Sequence, residues 1–443
     1  MQAVLSFDQA PPFAAPFRFF LTAPFFLLFA GLLLAALGPD ALASRWTPGA
    51  LALTHLVTVG FMLQVMLGAM IQILPVVAGA NLFRPLTVAR VVHALLVAGA
   101  VALPIGLLDP GSAALPLAMI ALGGGVGLFL LAVAASLRGI PPTSASIAGF
   151  KLAAAGLLIA VLLGLGLAGG LRGYWPVPLI ALTQIHANWA FGAWALVLLS
   201  SVAYVVVPMF QITPPYPRAF TRGFGPLLLL AVIATSLAIL LLDEDGAGVL
   251  QTAVFALAAV FCGTTLWLQA RSRRTRPDPT QKFWRFAMMS GLAACLLWSL
   301  ARMVPALAAW RAMPLLVGVL LLVGGFLSVI AGMLYKIVPF LVWLHLQNRG
   351  QSRVTAPNMK AVLAEKRMLL HLRLHVAACA SLLAAAVWPD WLARPAALVF
   401  AAAALCLLAN LLAAARIYRQ HAARVDARLA EIAADSAAGQ VPQ

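Results

Sequence analysis

Twelve runs of about twenty apolar residues follow one another along the 443-residue chain, separated by short polar connections. They lie near 17–37, 50–78, 88–108, 113–137, 146–170, 177–210, 223–242, 248–270, 283–303, 315–345, 368–388 and 393–415. A helix of that length crosses the roughly 30 Å hydrocarbon layer of a bilayer. Within the layer no water satisfies a free N–H or C=O, so each run has to close its own hydrogen bonds as a helix. The expected fold class is therefore an all-α integral membrane protein with about twelve transmembrane helices. At 63% hydrophobic and 9% charged residues, the chain has too little polar surface to be solvated by water, and the lipid bilayer is its first partner.

Basic residues are distributed unevenly between the connections. Those after the even-numbered runs hold Arg84, Arg90, Arg138, Arg218, Arg222, Arg271, Arg273, Arg274, Arg276, Arg349 and Arg353. Those after the odd-numbered runs are poor in Lys and Arg and hold Asp40, Asp109, Asp243, Glu244, Asp245 and Asp390. The positive-inside rule places both termini in the cytoplasm, and the expected location is a bacterial inner (cytoplasmic) membrane. The same bias accounts for the +17 net charge without a nucleic-acid partner. The N-terminus shows no basic region and cleavage site of a signal peptide. Cys262, Cys295, Cys379 and Cys406 all fall inside apolar runs, with no Cys-x-x-Cys pair, and read as small packing residues.

Three runs end alike. Gly68 stands seven residues before Pro75, Ser201 before Pro208 and Gly332 before Pro339. A proline near a helix end sacrifices few hydrogen bonds, and a small residue two turns back lets another helix approach. The expected organisation is one transmembrane domain over 1–420, in three pseudo-repeats of four helices near 1–140, 141–280 and 281–420, with a cytoplasmic tail at 421–443. The tail is expected to be helical before fraying at Ser436–Gln443, and Gln347–Lys366 to hold a short interfacial helix.

Chemistry within the bilayer needs polar side chains, and few are available. Every Asp and Glu lies in a connection or tail, which argues against proton relay or cation coupling through a buried carboxylate. Lys336 is expected to snorkel. His55 and His186 are the informative pair. They stand twenty and twenty-two residues before their prolines, about 8–13 Å inside the outer surface at 1.5 Å per residue. Imidazole at that depth serves as a ligand for haem iron or copper, or as a hydrogen-bond donor to a carbonyl or hydroxyl of a neighbouring helix. The third repeat has Val317 and Val319 at these places.

Other candidates each carry two readings. His371 and His375, four apart, lie near the cytoplasmic end with His345, and form either a divalent-metal site or an interfacial basic helix. His93 enters from the cytoplasmic side, at the wrong depth to join His55. Met62, Met66 and Met70 make either a Cu(I) track or core filling. Trp189 and Trp194 flank His186 as a cofactor edge or as part of an aromatic belt.

Thr54-His55, Gly60-Phe61, Gly68, Leu74-Pro75, Gly79-Ala80 and Arg84-Pro85 resemble helix two of haem-copper oxidase subunit I. The stretch from His186 to Gly192 is similar to helix six of the cbb3 and nitric-oxide-reductase branch, and Gly324-Gly325-Phe326 through Gly332, Tyr335 and Pro339 resembles helix ten. Pro16-Phe17-Arg18-Phe19-Phe20 resembles the NnrS family, a haem- and copper-containing relative. The resemblance implies the subunit I-like fold, with His55 as a low-spin haem ligand and His186 as a copper ligand. It also implies that the usual activity is lost. The helix-ten histidine pair falls on Val317 and Val319, and the seventh run holds no histidine, so the oxygen-reducing centre cannot be built in the family's way.

Two function classes follow. One is a subunit I-like protein holding a single haem or metal through His55 and His186. Its role would be redox, nitric-oxide or nitrosative-stress related, or in respiratory assembly beside a cytochrome or respiratory subunit. The other is a non-redox permease or copper-handling assembly protein on the same scaffold.

Overall fold

Helices long and apolar enough to span a membrane number twelve among the described residues, and no strand occurs among them. The structure, a computed structural model, describes residues 9–242, 244–351 and 353–438, and side chains for all of these except 244, 245 and 436–438. The N-terminal eight residues, Asp243 and the end of the expected fraying segment lie outside the described residues. The spans are α1 Ala14–Leu42, α2 Pro48–Ala78, α3 Pro85–Leu108, α4 Ala114–Leu137, α5 Ala145–Arg172 and α6 Leu179–Gln211. They continue as α7 Arg218–Leu241, α8 Gly246–Ala270, α9 Pro279–Met303, α10 Met313–Arg349, α11 Glu365–Val387 and α12 Pro389–Asp435. A short helix at Met359–Val362 sits where an interfacial helix is expected.

Each helix packs on its neighbours in sequence, and α12 packs on α1, α4 on α5 and α8 on α9, so the chain closes on itself. The proline helices α2, α6 and α10 meet one another. α2 touches α10 through their middle segments, Phe191 of α6 stacks on Phe326 of α10 at 6.0 Å, and His55 of α2 faces His186 of α6. α2 is the most buried of the spans.

The proline helices share an irregularity that the sequence does not announce. Each opens into an eight-residue π-helix, Leu56–Leu63, Trp189–Leu196 and Leu320–Leu327. Each π segment begins nineteen residues before its proline, at 56 for Pro75, 189 for Pro208 and 320 for Pro339. The wider turn holds one more residue than an α turn.

Packing against the preceding helix follows the same spacing. Seven residues before the proline, Gly68, Ser201 and Gly332 meet Phe19, Gly149 and Phe283. Fifteen before it, Gly60, Ala193 and Gly324 meet Phe26, Gly156 and Ser290, each seven residues further along the facing helix. Eight residues on the proline helix therefore pack against seven on its neighbour, and the π turn absorbs the extra one. One residue of each facing pair is small, which is what brings the axes close. Two of the contacts are reinforced by hydroxyls: Ser146 Oγ donates to Ser201 O at 2.8 Å, and Thr280 Oγ1 to Gly332 O at 3.0 Å.

α10 runs to Arg349, four residues past the expected end of its apolar run at 345, and is held there by His345 and by Arg349 against Asp426. Residues from 421 on are helical, as expected, and continue the α12 helix as far as Ala438. Lys336 does not merely snorkel, since its Nζ pairs at 2.6 Å with Asp278, which also caps α9.

Candidate metal centre

Helix α2 starts on a defined cap. Thr47 Oγ1 accepts the Ala50 N–H at 3.0 Å, and Pro48 occupies the first turn, where its missing N–H costs nothing. His55 closes the following α segment, immediately before the π-helix. Its Nδ1 donates to Leu51 O at 2.8 Å, one turn back on its own helix. His186 lies in the first α segment of α6, and its Nδ1 donates to Ala160 O of α5 at 2.9 Å. A carbonyl oxygen can only accept, so both bonds place the proton on Nδ1 and leave the lone pair on Nε2. This is the arrangement in which imidazole ligates a metal while its other nitrogen is held by the protein.

The two rings stand with centroids 6.5 Å apart and planes within 19° of parallel. Both residues are half-buried. Gly164 of α5 lets the backbone approach His186, because an added Cβ would stand 3.1 Å from its Cε1. The cross-helix bond expected of a structural histidine is made by His186 alone, through one nitrogen; His55 bonds only its own helix. The resemblance assigns these histidines to two different centres; in the fold they face each other.

The pair is not symmetric in register. The place of His55 directly before the π segment is taken in α6 by Asn188, whose Nδ2 donates to Gln251 Oε1 at 2.7 Å, and in α10 by Val319. α10 brings no ligating side chain to the pair: Val317 is buried core.

The remaining candidates fall elsewhere. His93 bonds Thr22 Oγ1 at 2.8 Å and sits edge-on to Phe19, away from His55. The expected three-histidine site of His345, His371 and His375 does not form. His345 is taken by Leu341 O at 2.9 Å and Pro11 O at 3.0 Å, whereas His371 and His375 turn into the bundle, each 1% exposed. That burial also rules out an interfacial face for these two. Among the described residues no group of three or more His, Cys, Asp or Glu side chains is placed to hold a metal ion. Met62, Met66 and Met70 are buried core filling. Trp189 and Trp194 are buried rather than in an interfacial belt, and Trp189 Nε1 donates to Ser236 of α7 at 3.1 Å.

Buried amides also lie within the apolar helices. Gln64 directly follows the α2 π segment with no exposed surface, and neither side-chain amide atom has a partner. A glutamine inside an apolar run was the available signal. No protein-family model matches this chain, and no curated protein matches it.

Proposed function

We propose that His55 and His186 hold one redox metal centre between α2 and α6, with haem iron as the occupant that fits the donor set best. The single observation behind this reading is the pair of near-parallel rings 6.5 Å apart, each with Nδ1 tied to a carbonyl. A metal–nitrogen bond is about 2.0 Å, so two imidazoles on one ion place their centroids roughly 6 Å apart. His55 and His186 would hold the haem iron through their Nε2 atoms, a demand that two histidines meet without further protein ligands. When bound, haem would supply one-electron transfer. The protein's part is to fix both rings, keep their lone pairs free and surround them with apolar helices.

The scaffold reading is that of a subunit I-like bundle in a bacterial inner membrane, with both termini cytoplasmic and three repeats of four helices. The recurring π segments and the in-register contacts of α1, α5 and α9 with α2, α6 and α10 support the repeats. With valine at 317 and 319 and no histidine in α7, oxygen reduction at a haem–copper pair is not the expected activity. Electron transfer with a cytochrome or respiratory subunit is.

The test is an optical spectrum with metal analysis of protein from haem-replete cells. A low-spin haem spectrum, lost in both His55→Ala and His186→Ala and kept in His93→Ala, is expected. Copper without haem at the same residues moves the assignment to copper handling. A colourless, metal-free protein overturns the proposal.

A further inference from the structure

A second histidine pair lies on α11, where it packs against α9 and α10. His371 and His375 are four residues apart on one face of α11, with ring centroids 5.9 Å apart. This is the spacing at which two helical histidines reach one metal ion. Both rings are enclosed at 1% exposure, with Phe283 at 5.3 Å and Tyr335 at 5.6 Å from His371.

The hydrogen bonding leaves ligating nitrogens spare. Nε2 of His375 lies 2.7 Å from Ser328 Oγ and 3.2 Å from Val323 O. The carbonyl can only accept, so Nε2 carries the proton and Nδ1 the lone pair. His371 departs from the pattern of its relatives in this chain. His55, His345 and His421 each bond the carbonyl four residues back. For His371 that carbonyl is Arg367 O, which instead lies 3.4 Å from Asn410 Nδ2. Nδ1 of His371 is buried with no partner at all. An unpaired ring nitrogen in an apolar interior is costly and calls for a ligand.

We infer that His371 and His375 bind a monovalent copper ion. No third His, Cys, Asp or Glu joins them among the described residues. Zinc and other divalent ions need more ligands than two, and a dication without a carboxylate is strongly disfavoured in this interior. Cu(I) accepts two imidazoles and carries a single charge. The site is separate from the His55–His186 centre and does not depend on it.

The experiment is an anaerobic titration of the full-length protein with Cu(I) against a chromogenic Cu(I) chelator. It is run in parallel on the wild type and on a His55→Ala/His186→Ala chain, so that the two sites are counted separately. One Cu(I) per chain should remain in the double variant and be lost when His371→Gln or His375→Gln is added. X-ray absorption of the copper-loaded double variant should show two nitrogen ligands and reads the site without altering it. Cu(I) capacity unchanged by both glutamine variants, a four-ligand or sulfur-containing shell, or no Cu(I) taken up by the double variant would each overturn the proposal.

Discussion

Gly156 of α5 lies against the backbone of Ala193 so closely that an added Cβ would stand 2.5 Å from the Ala193 carbonyl oxygen. The contact recurs in register in the other two proline helices, and Ala193 lies in the π segment that follows His186. Backbone against backbone has no flexible side chain to give way. Gly156→Ala should therefore destabilise the protein by about 1–3 kcal/mol, despite the better helix propensity of alanine. Gly124→Ala, with nothing within 4 Å of the added Cβ, should be neutral or stabilising by up to about 1 kcal/mol. Thermal unfolding of the two variants in detergent compares them directly.

Gly164 tests the His186 ring without touching a ligand. Its added Cβ already meets Cε1 at 3.1 Å, so the larger Gly164→Val side chain must displace the imidazole. Cofactor occupancy should fall in this variant and be retained in Gly127→Val, where the surroundings are open. An unchanged absorption spectrum in Gly164→Val would show that the ring position is immaterial to the centre.

Asn410 Nδ2 donates to Tyr335 Oη at 2.9 Å, and both residues are buried. Tyr335→Phe removes the acceptor and leaves the amide under-bonded, at an expected cost of about 1–3 kcal/mol. Adding Asn410→Leu to Tyr335→Phe should recover part of that loss, because the orphaned group goes too. A double-mutant cycle on the unfolding free energy measures the recovery.

Asp278 serves two cations and a helix end. It accepts the Gln281 N–H at 2.9 Å and pairs with Lys336 at 2.6 Å and Arg274 at 3.1 Å. Asp278→Asn keeps a good cap but leaves Lys336 and Arg274 without their counter-charge, so about 1–2 kcal/mol should be lost. Lys336→Met should cost less, since Arg274 still neutralises the carboxylate. Chemical denaturation of the two variants decides the order; equal costs would mean that the Lys336 pair carries the whole effect.

The helices were legible because lipid leaves apolar segments no alternative. Hydropathy and length locate the twelve spans to within about five residues, except at the end of α12, where the helix runs on to Asp435 past the apolar stretch. The Gly/Ser-x6-Pro endings were legible as close-approach points, and the structure supplies their partners, Phe19, Gly149 and Phe283. The π segments were not legible. Leu56–Leu63 and Leu320–Leu327 are ordinary apolar helix formers, and the wider turn appears only as eight residues matched against seven on a facing helix. In the sequence His371 and His375 read as either a metal site with His345 or an interfacial basic helix near the cytoplasmic end. Helix rotation decides otherwise, turning their face inward onto Phe283.

The sequence by itself determined the medium, the number of spans and the few polar side chains available within them, because burying a backbone in lipid admits one local solution and hydropathy is a local property. Which of those side chains meet was decided only by tertiary structure. His55 and His186 are separated by more than a hundred residues, and their 6.5 Å approach depends on how α2 and α6 rotate and cross. Those angles are set by small residues packing against neighbouring helices, which no pattern along one helix records.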